Sequence, residues 1–356
     1  MVQESEMSFD ARVQIHQIKW RRSQGEKISQ QQGVQIVRGK EVRGEWILPK
    51  ESWTDGLWTE IRDSLPLYLH PPDEESPVIQ RHDGSHNLKS SWILCANLYF
   101  PFASEEGRTL LAEFLREEVK LDVTAIQSVE LEFQDDQYPP WSLLGEPKGQ
   151  RGRHQTSPDL GITVTSSGRT GLILVENKYV EHSFYDCSGS KKENDNEHSD
   201  WCKSFEKIYP NWQHNCWQAN WEKGRRKNRK YWQYIKFSEV AQTLNTCPAV
   251  SAGCQLFRQQ ALAEALAETG KYEFVASCVA WDDRNEDLRH CLRSTGIDDF
   301  AADWGALFKG QAIFTTWAHQ DWIRFVSLHR SASWHSNWLD YVTGRYDYAA
   351  VPSKPL

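Results

Sequence analysis

Long apolar runs are the first thing that the sequence of 356 residues lacks. The opening residues, "MVQESEMSFDARVQIH", contain no apolar signal region. The most apolar run, "SWILCANLYFPFA", has 13 residues, which is too few to cross a bilayer. These two absences predict a soluble, cytoplasmic protein without a membrane partner.

Close cysteine pairs and phosphate-binding loops are also missing. None of the eight cysteines forms a CxxC pair, the spacing typical of structural zinc sites, and disulfides are not expected without a secretory signal. No GxxxxGKS or GxxxxGKT loop occurs, so any ATP-driven step would require a partner ATPase or helicase in trans.

Positive charge is not in excess, because the formal net charge is −8. That balance argues against a protein that coats nucleic acid nonspecifically, but it is compatible with a local basic groove. The length suggests one elaborated domain or two. Seventeen tryptophans predict a large aromatic core or exposed stacking surfaces.

The pattern of the chain changes near residue 90. Residues 1–89 are polar, and we treat them as an N-terminal elaboration. The following segments predict a helix in "EEGRTLLAEFLREEVKL", strands in "IQSVELEF", "PDLGITVT" and "GLILVENKY", a helix in "AGCQLFRQQALAEALAETG" and a strand in "YEFVASCVAW". This order predicts an α/β or α+β fold with helices on the faces of a sheet.

The predicted core spans residues 90–295 and contains a polar insert at about residues 186–248. Residues 296–356 follow it, and "DFAADWGALF" and "FTTWAHQDWIRFVSLH" in this tail have the spacing of amphipathic helices. We expect this C-terminal helical region to pack on the core.

Three charges stand among apolar residues in the two strands around "SSGRTG". If Ser167 and Gly168 form a two-residue turn, paired residue numbers add to 335, the sum of the two turn positions. Asp159 then lies opposite Glu176, and Lys178 shares their face because residues two apart on a strand point the same way. In a different register, in which the paired residue numbers add to an even number, Asp159 would lie on the opposite face of the sheet from Glu176.

Two opposed carboxylates repel each other, and a hard cation offsets that repulsion. Mg²⁺ binds carboxylate oxygens together with water and phosphate, and Mn²⁺ can substitute for it. The backbone carbonyl of Asn177 offers a further oxygen. Lys178 could orient or deprotonate water, or stabilise charge that builds on phosphate. The alternative is a surface hairpin in which Lys178 bridges two acids.

Pro158-Asp159 and Glu176-Asn177-Lys178 resemble the bipartite motif of the PD-(D/E)XK nuclease superfamily. The chain is more specifically similar to bacterial restriction endonucleases of that superfamily through the ordered segments "SSWILCANLYFP", "VELEF", "KYVEHSF" and "CQLFRQ". The resemblance covers about residues 90–281. It implies a restriction-endonuclease-like mixed central sheet flanked by helices, and a metal-dependent enzyme that cuts DNA in restriction or defence and leaves 5′-phosphate ends.

The resemblance also assigns roles to residues. Asp159 and Glu176 are implied metal ligands, Lys178 is the implied catalytic lysine, and Glu181 continues the motif in a supporting role. The implied additional acid has four candidates: Glu132, Glu130 two residues away on the same face, and Glu113 or Glu117 on the first helix.

A polar stripe on the later helix contains Gln255, Arg258 and Gln259, at positions i, i+3 and i+4. The helix in this place borders the scissile phosphate in the superfamily. The resemblance therefore implies a catalytic contribution from Gln259 and DNA contacts from Gln255 and Arg258. A solvent-exposed polar face is the alternative.

A basic and aromatic segment, "WEKGRRKNRKYWQYIK", lies in the insert and holds seven lysines and arginines among four aromatic residues. Basic side chains neutralise phosphates and aromatic rings stack on unpaired bases, so this segment is the strongest predicted contact with nucleic acid. A solvated basic loop is the alternative. The predicted DNA-binding residues are Arg225, Arg226, Lys227, Arg229 and Lys230.

Five cysteines bracket this segment, with His182, His198 and His214 nearby. Some superfamily relatives hold an iron–sulfur cluster beside the nuclease core, so the resemblance allows zinc or such a cluster here. The alternative is that reduced thiols pack the insert. The cysteines concerned are Cys187, Cys202, Cys216, Cys247 and Cys254.

The functional expectation is a Mg²⁺-dependent DNA endonuclease, and a homodimer would supply the two sites that double-strand cleavage often needs. A nuclease-fold protein that binds nucleic acid without cutting it is the second possibility. An exonuclease or an RNA-acting relative would share the same site.

Overall fold

The computed structural model describes residues 7–37, 39–191, 196, 199–219 and 228–348. The strands are β1 (Gly33–Val37), β2 (Lys40–Gly44), β3 (Ala125–Leu131), β4 (Leu160–Ser166), β5 (Arg169–Lys178), β6 (Val275–Trp281) and β7 (Ile313–Ala318). The α-helices are α1 (Phe9–Gln24), α2 (Ser64–Leu69), α3 (Ser91–Tyr99), α4 (Glu105–Glu117), α5 (Pro140–Leu143), α6 (Phe205–Ile208), α7 (Trp212–Asn215), α8 (Tyr231–Tyr234), α9 (Cys254–Glu268), α10 (Glu286–Arg289), α11 (Phe300–Asp303), α12 (His319–His329) and α13 (Trp334–Tyr346).

The central sheet has five strands in the order β3-β4-β5-β6-β7. The first three are antiparallel, whereas β6 and β7 run parallel to β5. Helix α9 connects β5 to β6, as a parallel pair requires a long crossover. The predicted mixed sheet flanked by helices is confirmed, and so is the predicted order of helix, three strands, helix and strand.

Side chains of β5 alternate between two hydrophobic cores. Ile173 and Val175 face a core that includes α3, α4, α12 and α13. Leu172 and Leu174 face the other core, which includes α9 and the described part of the insert. Every residue of β6 is buried, because helices cover both faces of a parallel strand. The large aromatic core is confirmed by the fully buried side chains of Trp304, Trp322 and Trp338.

The N-terminal residues pack against the C-terminal helices. Helix α1 contacts α13, where Gln17 Nε2 donates to the carbonyl of Arg345 at 2.7 Å. The side chain of Asn97 in α3 accepts from the backbone N–H of Trp58 at 2.8 Å and donates to the Tyr346 hydroxyl at 2.7 Å. Helices α1 and α13 therefore meet on the α3 side of the sheet.

The helix expected over "FTTWAHQDWIRFVSLH" is wrong for its first residues. Ile313–Ala318 form the edge strand β7, and α12 begins only at His319. "DFAADWGALF" contains a single α-turn, Phe300–Asp303, followed by a 3-10 turn. The sheet thus takes its last strand from beyond residue 295. None of the helices in the described ranges is long and apolar enough to span a membrane.

Candidate active site

The predicted hairpin register is confirmed. Ser166 pairs with Arg169 and Leu160 with Val175, so paired numbers add to 335. Ser167 and Gly168 have φ values of 49° and 80°, as a primed two-residue turn requires. Because Ile162 and Val175 belong to the core on the α3 side, Asp159, Glu176 and Lys178 are directed to the α9 side. The three charges share one face.

Asp159 lies just before β4, and its side chain continues the pairing of the hairpin. Asp159 Oδ2 accepts from the backbone N–H of Asn177 at 2.8 Å. The N–H and C=O of a strand residue point to the same side, so the Asn177 carbonyl is also directed toward β4. Burial, followed by the charge of Glu176, raises the pKa of Asp159 well above its usual range.

Glu176 and Lys178 form a buried ion pair, with exposed fractions of 6% and 3%. Lys178 Nζ donates to Glu176 Oε1 and to Gln255 Oε1, both at 2.8 Å. Burial alone would lower the pKa of Lys178, but the charges of Glu176, Glu181 and Asp159 outweigh it and hold that pKa above its ordinary value. The Lys178 amine is therefore a cation at neutral pH.

Glu132 stands directly after β3 with a positive φ of 50°, an uncommon conformation for a side chain of this kind. Its backbone N–H donates to the Asp159 carbonyl at 2.9 Å. Burial, with a further contribution from Glu176, raises the pKa of Glu132 to about 8. Gly152 packs over it, and a Cβ there would meet the Glu132 carboxyl carbon at 3.3 Å and collide with the Gln80 carbonyl.

The other candidates for the additional acid have different surroundings. Glu130 is only partly buried and lies 3.6 Å from the Arg151 guanidinium. Glu113 and Glu117 lie on α4, whose apolar residues pack into the core on the α3 side of the sheet. The structure thus brings Glu132 to the acidic pair and leaves the two acids of α4 on the opposite face.

Glu181 holds the end of the motif in place. Its Oε2 accepts from the backbone N–H of Tyr179 at 2.8 Å, and its Oε1 accepts from the Ser91 hydroxyl at the start of α3. Asn285 Nδ2 donates to the carbonyls of Tyr179 and Glu181 at 2.8 and 2.9 Å. These contacts join the end of the motif to α3 and to Asn285, and the supporting role of Glu181 stays a prediction.

A second layer of contacts fixes Asn177. Its Nδ2 donates to the Ser91 carbonyl at 2.9 Å, and its Oδ1 contacts His319 Nε2 at 3.0 Å. His319 Nδ1 contacts the Tyr348 hydroxyl at 3.1 Å. Ser91, Asn285 and His319 were not predicted from the sequence, because each is far from the motif along the chain and only the fold brings it close.

The polar stripe on α9 divides between two environments. Gln255 is half-buried and contacts Lys178, whereas Gln259 is 1% exposed. Gln259 Nε2 donates to the carbonyls of Cys278 and Leu174 at 2.8 and 3.4 Å, so it bonds the sheet. The stripe is therefore not a solvent-exposed polar face, because Gln259 is buried. Gln255, and not Gln259, is the glutamine of α9 that contacts Lys178.

The side chains of Arg258 and Arg229 bond other groups of the protein, whereas Lys230 does so through its backbone. Arg258 donates to Glu146 Oε1 and to the Thr156 hydroxyl, both at 3.0 Å. The Arg229 guanidinium donates to the Gly145 carbonyl at 2.6 Å, and the Lys230 backbone N–H donates to the Leu144 carbonyl. Arg225, Arg226 and Lys227 lie outside the described residues, as does His198.

The described residues contain no group of three or more His, Cys, Asp or Glu side chains that converges on one metal ion. Asp159 and Glu176 nevertheless suit a hard cation, because Mg²⁺ is commonly held by one or two carboxylates and keeps several waters. Asp159 Oδ2 and the Asn177 carbonyl are directed to the same edge of β5.

Comparison with known proteins identifies the family of the chain. A search of curated proteins and a search of solved structures find no match. The family model described as "Restriction Endonuclease associating with ARP" matches residues 14–346. That range includes the sheet, the acidic pair, Lys178 and both sets of flanking helices. The chain therefore belongs to this restriction-endonuclease family.

Proposed function

We propose that the chain is a metal-dependent DNA endonuclease of the PD-(D/E)XK superfamily, with Asp159, Glu176 and Lys178 as its catalytic residues. The observation that carries this proposal is the hairpin register, which directs two acids and one amine to the same face of the sheet. Membership of a restriction-endonuclease family supports the same activity.

Mg²⁺ or Mn²⁺ would be held by Asp159, Glu176 and the Asn177 carbonyl, with Glu132 as the additional acid. A bound Mg²⁺ supplies Lewis-acid polarisation of a phosphoryl oxygen. Glu132 must lose its proton to join the ligands, because its pKa is raised to about 8 by burial. We therefore expect metal affinity to increase from pH 6 to pH 9.

Lys178 stabilises negative charge in this proposal. Its pKa is raised by the surrounding acids, so the amine keeps its proton and is poorly suited to deprotonate water. A fixed cation beside the acids is instead able to stabilise charge that develops on the phosphate. Gln255 accepts from the same amine and thereby sets its direction.

DNA is the proposed partner, and contacts with it would come from Gln255 at the site and from the basic segment of the insert. The family name refers to association with ARP, which supports a second protein as partner. A partner ATPase or helicase, and a homodimer that cuts both strands, are compatible with that name.

The experiment is a cleavage assay with plasmid, linear and single-stranded DNA and with RNA, each with Mg²⁺, Mn²⁺ or EDTA. Glu176→Gln and Lys178→Met should each lower the cleavage rate roughly a thousandfold, since both remove charge at the reacting phosphate. Glu268→Gln and Lys236→Met are matched controls, because these residues form a surface pair with an N–O distance of 2.7 Å.

Each outcome has a distinct meaning once circular dichroism shows that the variants are folded. Cleavage that survives both site substitutions would dismiss the assigned site. Binding of DNA without cleavage by the parent protein would favour the non-cutting scaffold. Cleavage restricted to RNA, or only from DNA ends, would favour the RNA-acting or exonuclease alternative.

A further inference from the structure

Tyr185 combines a large exposed ring with a position beside the acidic site. Among the phenylalanine, tyrosine and tryptophan residues that the structure describes, only Tyr185 and Tyr209 are exposed, at 56% and 39%. Tyr209 stacks on Phe205, with ring centroids 5.1 Å apart. Within the described ranges Tyr185 stacks on no other ring, so its ring is open to a ligand.

The charges that act on this ring are those of the acidic site. Lys178 Nζ lies 5.5 Å from the ring centroid of Tyr185. The Tyr185 hydroxyl also interacts electrostatically with three acids, Glu181, Glu176 and Asp159. Lys178 and Glu176 are only 3% and 6% exposed. The ring is therefore an accessible surface next to charges that solvent barely reaches.

The backbone holds Tyr185 in an unusual conformation. Its φ is 57°, in the left-handed region that bulky aromatic residues rarely adopt. The Cys254 N–H donates to the Tyr185 carbonyl at 3.0 Å, and the Gln255 N–H donates to the Phe184 carbonyl at 2.9 Å. Phe184 itself is fully buried. Bonds to the first turn of α9 thus maintain a strained residue where the chain leaves the core, and such strain is concentrated at functional sites.

The charge beside Tyr185 does little to attract DNA. Lys178 is the only amine in contact with Glu176 among the described residues, and Glu181 and Asp159 also act on it. Because this cation is already paired, little positive charge remains for a phosphate before a metal binds. Contacts that do not depend on charge must then contribute to holding a nucleotide. Stacking of a base on an aromatic ring is such a contact.

The depth of the paired charges favours an unpaired strand. Lys178 and Glu176 are buried, so a phosphate must leave the outline of a regular duplex to reach them. The backbone of an unpaired nucleotide turns more freely, and the face of its base is open, whereas bases inside a duplex are stacked on one another. An unpaired nucleotide therefore suits both the recessed charges and the exposed ring.

We propose that Tyr185 stacks on an unpaired base next to the scissile phosphate, and that the preferred substrate is DNA with a single-stranded stretch at the cut position. This inference rests on the proposed nuclease function and narrows its substrate. Tyr185 binds and orients the nucleotide, and none of its own bonds changes during hydrolysis.

A ring that only shields Lys178 from water is the alternative. Shielding depends on apolar volume, which leucine also supplies, whereas stacking on a base requires an aromatic ring. Shielding also predicts equal effects on every substrate, while stacking acts on unpaired bases alone. Tyr185→Phe and Tyr185→Leu therefore separate the two roles.

The test measures binding of the full chain, in EDTA, to a labelled duplex, to the same duplex with a short single-stranded gap, and to a single strand. We expect tighter binding to the two DNAs that have unpaired bases. Tyr185→Leu should weaken binding to these two about tenfold and leave duplex binding nearly unchanged. Tyr185→Phe and the control Tyr209→Leu should bind as the parent does. The slope of log affinity against log salt concentration should stay the same, because no phosphate contact is lost.

Cleavage rates with Mg²⁺ separate this inference from the proposed function. We expect faster cutting in the gap than in the intact duplex, and loss of that preference in Tyr185→Leu. Cleavage that ignores the gap, a preference that survives Tyr185→Leu, or a preference for single-stranded RNA would each overturn the inference and leave a nuclease. No cleavage of any substrate would instead overturn the proposed function, and the binding data would still decide the role of Tyr185.

A second measurement applies if Tyr185→Leu does not fold. Aminopurine, a fluorescent adenine analogue, loses emission when it stacks on an aromatic ring. At the unpaired position it should be quenched by the parent protein and by Tyr185→Phe. Undiminished emission in the bound complex would overturn the proposed stacking.

Discussion

The acidic site, with Asp159, Glu176 and Lys178, lies on the same face of the sheet as a second region, here called the cysteine cavity. This cavity is lined by Cys187, Cys202, Cys216, Cys247 and Cys254, and different contacts hold the two regions together. At the acidic site each charge has a partner within the protein: Lys178 contacts Glu176 and Gln255, and Asp159 contacts the Asn177 N–H. Thiols are weak donors and acceptors, so the polar contacts of the cavity wall centre on the carboxylate of Glu146, which accepts from Arg258 and Tyr231. Aromatic packing and one buried acid hold its walls.

The first turn of α9 connects the two regions. Gln255 contacts Lys178, while Cys254 and Arg258 on the same turn line the cavity. Both regions therefore depend on where α9 begins. Charges that compensate one another fix the acidic site, whereas contacts with more distant loops shape the cavity. Substitutions should separate these two kinds of support.

The largest expected effect concerns Glu146, which is buried in the cavity wall. Its carboxylate accepts from Arg258, from Thr156 and from the Tyr231 hydroxyl. Arg258→Met leaves this acid without its cation, which typically costs about 3 kcal/mol in the free energy of unfolding. Urea unfolding followed by tryptophan fluorescence measures the loss.

The control for Arg258→Met is Lys236→Met at the exposed pair with Glu268. Surface pairs contribute at most about 1 kcal/mol, so this variant should unfold nearly as the parent does. Equal losses in the two variants would show that Glu146 is not a support of the cavity wall.

The next prediction concerns how the free energy of unfolding depends on pH, through His319 beside the acidic site. Burial lowers the pKa of His319 from 6.5 to about 4, and its ring contacts Asn177. Below pH 6.5 the His319 ring binds a proton in the unfolded chain but stays neutral in the folded chain. The free energy of unfolding therefore falls as the pH decreases toward 4. Between pH 7 and pH 5 the loss from this group is about 2 kcal/mol.

His319→Gln should remove most of this acid sensitivity, because glutamine does not titrate. The measurement is the free energy of unfolding at pH 7, 6 and 5 for both proteins, and the difference between the two slopes isolates His319. Parallel slopes would contradict the prediction. Thiol reactivity in the cavity should be the same in both proteins.

The sequence was informative where local rules decide the structure. Ser167-Gly168 specified a two-residue turn, and that turn fixed the register that brings Asp159 opposite Glu176. Helix α9 followed from its alanine and leucine spacing. The edge strand β7 was missed, because Ile313–Ala318 are only partly buried and their aromatic residues also suit helical spacing.

The environment of individual polar side chains was harder to predict. Gln255 and Gln259 lie on the same side of α9, and helical spacing cannot show that one reaches Lys178 while the other bonds carbonyls of the sheet. The five cysteines have no short spacing to recognise. Their approach depends on how separate loops fold over α9, which no local pattern contains.

The two glutamines of α9 provide the third prediction. Gln255→Ala should lower the cleavage rate about tenfold with little change in stability, because a hydrogen bond to a charged group contributes roughly 1.5 kcal/mol. Gln259→Ala should instead lower the free energy of unfolding by about 2 kcal/mol, because it removes the buried hydrogen bonds to the Leu174 and Cys278 carbonyls.

Single-turnover cleavage of both variants measures the rate, and urea unfolding measures the free energy of unfolding. The opposite result, with Gln259→Ala slow but stable, would restore the catalytic role that the resemblance gave to Gln259.

The smallest effect is expected at Lys230, at the edge of the cavity wall. Its backbone N–H bonds Leu144 and its side chain is partly exposed, so Lys230→Ala should leave the fold intact. If the amine neutralises one phosphate, the slope of log affinity for DNA against log salt concentration should decrease by about 0.9. Fluorescence anisotropy at four salt concentrations measures that slope. An unchanged slope would show that DNA passes this side of the insert without contact and would confine recognition to the acidic site.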